Sequence, residues 1–153
     1  MERSEREGAR DGSWSFVVGL DGSENSQHAL DWAIKLAKPL DAEVFAVHAA
    51  QPLTLTYGIT PTEFDDETLR RIQKEVDEVW CEPLRKAGVR FQARFELGRA
   101  ADVLSQVASQ EGADAIVVGR RGRGAVTEAL LGSVSHELGH RATTPLVIIE
   151  PSR

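Results

Sequence analysis

The chain has 153 residues and a mass of 16.7 kDa, enough for one domain of ordinary size. Hydrophobic residues at 41% and charged residues at 27% exclude a disordered tail, and 18 Lys+Arg against 24 Asp+Glu, a formal charge of -6, argue against a chain-wide grip on nucleic acid or an anionic membrane. One cysteine, Cys81, excludes an intramolecular disulfide and a cysteine-rich zinc module, and no apolar run approaches the roughly 20 residues of a membrane span.

Residues 1–12 carry Glu2, Arg3, Glu5, Arg6, Glu7, Arg10 and Asp11, without the apolar segment of a secretory signal. They read as a disordered charged extension, or a partner-binding arm, ahead of a domain over 13–153, and a cytoplasmic, reduced protein is the default. Phe16-Val17-Val18-Gly19-Leu20 predicts a first strand, and Ser23 a helix N-cap. Ala29, Leu30, Ala33, Ile34 and Ala37 recur at helical spacing, with Pro39 expected to stop the helix. Glu43 to Ala50 predicts a second strand, and a Thr/Pro-containing loop runs from Gln51 to Asp66. A second helix is expected from about Glu67 to Lys86, with an apolar stripe of Leu69, Ile72, Val76, Val79, Trp80 and Leu84. Pro83 should kink or shorten it, and Gly88 closes it.

From Val89 to Leu97 the sequence alternates, with Val89, Phe91, Ala93, Phe95 and Leu97 on one face and Arg90, Gln92, Arg94 and Glu96 on the other. A strand with one polar face belongs near a sheet edge. Ala100, Val103, Leu104, Val107 and Ala108 mark a third helix ending at Gly112, and Ala115-Ile116-Val117-Val118 a buried strand. A Gly- and Arg-rich loop leads to a helix opening near Ser133 and ending before Pro145, and Leu146-Val147-Ile148-Ile149 is the last strand. Strands separated by helices with right-handed crossovers predict a doubly wound α/β domain: a five-stranded parallel sheet, order 3-2-1-4-5, with helices on both faces. Such a sheet places a ligand beyond the carboxyl ends of its strands, here at Asp21-Gly22-Ser23, Ala49-Ala50 and the Gly119 loop.

That loop, Gly119-Arg120-Arg121-Gly122-Arg123-Gly124, continues to Gly132-Ser133-Val134-Ser135. Glycines after a buried strand let main-chain N–H groups approach an anion, and the opening of the next helix offers unpaired N–H groups and a favourable dipole. Hydroxyls of Ser133 and Ser135 add donors. Two anion-binding elements suit a polyphosphate; the alternative is a glycine-rich turn with a capped helix.

Gly119-x2-Gly122-x9-Gly132-Ser133 resembles the nucleotide-binding signature of the universal stress protein family. Asp21-Gly22-Ser23-Glu24-Asn25-Ser26, Gly98-Arg99-Ala100-Ala101 and Ala142-Thr143-Thr144-Pro145-Leu146-Val147 resemble other family segments, and the likeness covers roughly Ser15 to Pro151. The resemblance implies the ATP-binding branch. Asp21 would hold the adenosine end, the Ala49 main chain would contact adenine, and Gly119 would sit beside the ribose. Gly122, Gly132, Ser133, Val134 and Ser135 would cradle the phosphates, with Mg²⁺ or Mn²⁺ on them. Leu20 and Val118 complete the implied nucleotide-binding set, for ATP or for AMP or ADP, and Arg121 is added to it from the charge of the loop, not from the resemblance. The family often has a bulkier residue where Ala49 stands, a change that a main-chain contact tolerates. The resemblance further implies a homodimer formed by antiparallel pairing of the strand Leu146 to Ile149, an apolar edge that invites pairing.

Other readings compete at single residues. Arg120, Arg121 and Arg123 either form a solvated basic loop or neutralise phosphate charge, Arg121 being best placed before Gly122. Asp21 is alternatively a turn-capping carboxylate. His136-Glu137-Leu138-Gly139-His140 matches H-E-x-x-H, yet only His28 and His48 remain as further imidazole ligands and no glycine-histidine extension follows before Pro145, so no catalytic or metal residue is assigned; the family resemblance implies that the two histidines are exposed. G-x-G-x-x-G after the first strand and G-x-x-x-x-G-K-[ST] are both missing, which leaves no evident Lys or base for turnover. Cys81 reads as a buried structural thiol, and Trp14 and Trp32 as packing residues. The expected function is an ATP-binding, homodimeric stress-response or signalling module; the alternatives are a slow ATPase or other adenylate-acting hydrolase, and a nucleotide-free interaction module.

Overall fold

Apolar runs too short for helices become the strands of one parallel sheet. The computed structural model describes residues 12–51, 65–121 and 131–150. Strands β1 (Ser15–Gly19), β2 (Glu43–Ala50), β3 (Phe91–Leu97), β4 (Ala115–Gly119) and β5 (Leu146–Ile149) lie in the order β3-β2-β1-β4-β5, every pairing parallel, as the alternation of elements predicts. The connecting helices are α1 (Glu24–Leu40), α2 (Asp66–Glu75), α3 (Glu82–Ala87), α4 (Ala100–Glu111) and α5 (Ser133–Arg141). Among the described residues, no helix is long and apolar enough to cross a membrane.

Because strand side chains alternate, each central strand feeds two cores. Phe16, Val18, Val44, Ala46 and Val117 pack with Leu30, Ala33, Leu84 and Cys81 on one face. Val17, Phe45, Val47, Ile116 and Val118 pack with Leu104, Val107 and Leu138 on the other. Trp32 covers the first core, and Trp14 leans half-exposed on Phe16.

Two helix boundaries depart from expectation. Helix α1 runs one residue past Pro39 and ends at Asp41, which takes the left-handed conformation (φ 48°) while the Ala42 N–H returns to the Ala37 carbonyl at 2.9 Å. Closing the helix is therefore the work of that turn, and Pro39 sits within the last helical turn. The long second helix is broken in three. Asp65 caps α2, accepting the Thr68 N–H at 2.8 Å, and hydrogen bonding from the Thr68 hydroxyl, then from its N–H, holds the Asp65 carboxyl below the usual range. A π-helical turn then spans Val76–Trp80, its Cys81 N–H reaching back to the Val76 carbonyl at 3.1 Å. The wide turn resets the chain so that Pro83 falls in the first turn of α3, where its missing N–H is no loss. It also shifts the apolar phase: Val76 and Leu84 are buried and Trp80 packs on the core, whereas Val79 is turned out.

Cys81, at the end of that turn, is fully buried, and burial, with Asp77 nearby, pushes its thiol up to about 12. Maleimide at pH 8 is therefore expected to leave Cys81 unmodified in the native protein and to label it fully in denaturing urea. Rapid labelling of the folded chain would contradict this burial.

The sheet edges differ. β3 starts at Phe91, so Val89 precedes it, and Leu97 is exposed where the alternation places it inward; Arg94 instead folds over the Phe45 ring and pairs with Glu111. Its outward main chain is capped by Gln73 of α2, whose Nε2 donates to the Ala93 carbonyl (3.2 Å) and whose Oε1 accepts the Phe95 N–H (3.0 Å). This side-chain amide stands where a neighbouring strand's peptide would be. β5 forms the opposite edge and is half-buried along its length.

Candidate functional site

The winding reverses between β1 and β4, the switch point at which a sheet of this topology has its ligand crevice. β1 is shorter than its neighbour β2: their pairing ends at Gly19 opposite Val47, while β2 continues to Ala50. β4 ends at Gly119, opposite Ile149. The Asp21 turn, the Ala49 end of β2 and the Gly119 exit thus meet at one end of the sheet, the three segments expected to do so.

Asp21 leaves β1 in an Asx-type turn, its Oδ1 accepting the Ser23 N–H at 2.9 Å. Ser23 caps α1 as predicted, accepting the Ser26 N–H at 3.2 Å, and Ser26 Oγ donates to the Ser23 carbonyl at 2.9 Å. The capping alternative for Asp21 is therefore realised through one carboxylate oxygen. Leu20 and Val118 put their side chains into the two cores, so only their main chains border the crevice. Ala49 packs half-buried on the second core.

Gly119 has no room for a side chain. A Cβ there would stand 2.7 Å from the Asn25 carbonyl oxygen and 2.8 Å from its carbon, both main-chain atoms of α1. The glycine thus lets the start of α1 close onto the end of β4. Arg120 follows as a junction: its N–H donates to the Ile149 carbonyl (2.9 Å), its carbonyl accepts from the Gly132 N–H (2.9 Å) and Ser135 Oγ (2.8 Å), and its guanidinium pairs with Glu150. Arg121 is half-buried; Gly122, Arg123 and Gly124 lie outside the described residues. The base of the glycine loop is thereby pinned at Arg120.

Gly132 occupies the N-cap position of α5 without a side-chain cap, leaving the first-turn N–H groups of Ser133, Val134 and Ser135 without intrahelical acceptors. Ser133 is exposed, but Ser135 is buried and its hydroxyl proton goes to main-chain carbonyls of Arg120 and Gly132. A buried hydroxyl must find an acceptor, and here it fastens the helix to the loop base. What Ser135 offers at the helix opening is its N–H.

His136 and His140 stand on the exposed side of α5 with rings 4.7 Å apart, and Leu138 between them is buried. Glu137 is drawn into an ion-pair network with Arg99 and Arg141, the latter also 3.3 Å from Asp102 of α4. The H-E-x-x-H carboxylate thus ties α5 to α4. No group of three His, Cys, Asp or Glu that would hold a metal occurs among the described residues.

One residue of the crevice is marked in the sequence only as a lone polar side chain in an apolar strand. His48 on β2 places Nδ1 2.7 Å from the Leu20 carbonyl, with its ring stacked on Phe95 and edge-on to Trp80.

The profile of the Universal stress protein family matches residues 15–150. Universal stress protein YxiE of Bacillus subtilis is 34% identical over 143 residues, covering 88% of this chain and 97% of its own. Among solved structures, hypothetical protein MJ0577 superposes with a TM-score of 0.75 at 21% identity, over 92% of this chain and 97% of that one, a likeness of fold. A universal stress protein solved in complex with cAMP is 27% identical, with a TM-score of 0.69 over 91% and 98% of the two chains. The chain belongs to the universal stress protein family.

Proposed function

We propose that this protein is an adenine-nucleotide-binding universal stress protein of the ATP-binding branch, a cytoplasmic homodimeric module that holds its ligand rather than turning it over. The convergence of the Asp21 turn, the Ala49 end of β2 and the Gly119 exit at the switch point carries this reading. Adenosine lies between Asp21 and the Ala49 main chain, with Leu20, Val118 and Gly119 bordering base and ribose. Phosphates lie at the opening of α5, over the N–H groups of Ser133, Val134 and Ser135 beside Gly132, with Gly122 and Arg121 completing the cradle. Mg²⁺ or Mn²⁺ is carried on the phosphates. The 27% identical relative in complex with cAMP supports the ligand class, and helix-opening amides support the phosphate position.

The two sheet edges support the assembly. Gln73 covers the outward groups of β3 at Ala93 and Phe95, which leaves β5 to pair with a second copy. Residues 13–153 form the nucleotide-binding unit in this reading.

Titration calorimetry with ATP, AMP and cAMP, followed by a phosphate-release assay, tests the function. ATP affinity without release is the expected result; release would favour the slow-hydrolase alternative, and no affinity for any of the three would favour an interaction module. With adenosine added to the titrations, Arg121→Ala should weaken ATP about three- to tenfold while leaving adenosine within about twofold, as expected for one charge-assisted bond. Equal losses for both ligands would remove Arg121 from the phosphate site.

A further inference from the structure

We propose that His48 is a positioning residue that takes the Leu20 carbonyl away from the β ladder and so keeps the Ala49 main chain open to an adenine base. The Leu20 N–H donates to the Val47 carbonyl at 2.8 Å, continuing the parallel pairing of β1 and β2 by one bond. In a parallel ladder the next bond would run from the Ala49 N–H to the Leu20 carbonyl. That carbonyl instead receives His48 Nδ1 at 2.7 Å. A carbonyl only accepts, so Nδ1 carries the proton. Two aromatic neighbours fix the ring in this orientation. Phe95 stacks on it 5.5 Å away at 25°, and Trp80, set there by the π-helical turn, meets it edge-on at 4.9 Å.

Alternation along β2 completes the arrangement. The Val44 N–H and the Ala50 carbonyl bond toward β3, so the even-numbered residues face that neighbour, and Val47 and Ala49 face β1. Beyond Gly19 the chain turns off at Asp21, and the Ala49 N–H and carbonyl point to the side that β1 has left. They form one donor beside one acceptor, which complements a base edge with a ring-nitrogen acceptor beside an amino donor, as in adenine. The ligand half of this inference rests on the nucleotide reading above; the ladder half does not.

Two variants and one measurement on the unaltered protein test it. His48→Phe keeps the ring and removes the donor, so the Leu20 carbonyl should recruit the Ala49 N–H. Exchange of the Ala49 amide is expected to slow about tenfold, and AMP affinity to fall about three- to tenfold, the scale of one net hydrogen bond. His48→Asn replaces the donor near the Nδ1 position and should return both readouts to within about twofold of the original. Long-range ¹H–¹⁵N correlation of the unaltered protein, with the ring neutral, should show the proton on Nδ1. An Nε2–H ring, or Ala49 exchange unchanged in His48→Phe, would overturn the inference. If the unaltered protein binds no AMP, the nucleotide reading fails, and the exchange and tautomer results still decide the role of His48.

Discussion

Replacing Gly119 by Ala is expected to destabilise the fold by about 1–3 kcal/mol, the usual cost of forcing a methyl into a well-packed site. For a domain of this size that is a fall in Tm of about 2–12 °C. The atoms in the way are the carbonyl oxygen and carbon of Asn25, at 2.7 and 2.8 Å from the added Cβ, and main-chain atoms of a helix cannot rotate aside as a side chain would. Relief comes only by moving the start of α1 off β4. That movement carries the Ser23 cap and the Asp21 turn with it, because Asp21, Ser23 and Ser26 are joined by hydrogen bonds. Nucleotide affinity should therefore fall with stability. Gly139 provides the opposite case: it lies on the exposed side of α5 with nothing within 4 Å of an added Cβ, so Gly139→Ala should raise stability by up to about 1 kcal/mol. Thermal unfolding of the two variants beside the original chain checks both signs. An unchanged Tm in Gly119→Ala would show that α1 does not bear on β4 this way.

Gly119 also shows where reading a sequence stops. A glycine after a buried strand signals that something approaches closely, but the sequence does not say what; an anion is the expected neighbour, and the nearest atoms are those of α1. The strands are legible because their apolar runs depend on burial that neighbours in the chain already encode: Ala115 to Val118 is covered on both faces, and it reads so. The π-helical turn is not, since Pro83 announces an interruption without saying how the preceding turn will widen to absorb it. Side-chain amides and hydroxyls are least legible. Gln73 on β3 and Ser135 on the Arg120 carbonyl act across 20 and 15 residues, and nothing local distinguishes them from solvated polar positions. His48 is intermediate. Its place in EVFAVHAA hints at a buried partner, but the partner, a carbonyl at the end of a strand 28 residues away, follows only from the pairing of β1 with β2.

The proposed homodimer makes a second large prediction, because its strand offers two kinds of position. The Ile116 N–H donates to the Pro145 carbonyl and the Arg120 N–H to the Ile149 carbonyl. Bonds to β4 therefore use Pro145, Val147 and Ile149, and the main chains of Leu146 and Ile148 face the open edge. Ile148→Pro removes an outward N–H and leaves the bonds to β4 intact, a placement proline tolerates on an edge strand, and its predecessor Val147 already has the extended conformation proline favours. Across a two-fold axis the change counts twice. Two lost bonds of about 0.5–1.5 kcal/mol each correspond to a dimer dissociation constant raised by roughly 5- to 150-fold, and the two rings at the seam add to the loss. Ile149→Pro removes an inward N–H instead and should lower Tm by loosening β5 from β4. Sedimentation velocity across a concentration series, read beside thermal unfolding, separates these effects: Ile148→Pro should be a folded monomer where the original chain is a dimer. A dimer of unchanged affinity in that variant would place the contact elsewhere, and an original chain that is monomeric at micromolar concentration would end the homodimer reading, since β5 would then face solvent as a short edge protected by its own half-burial.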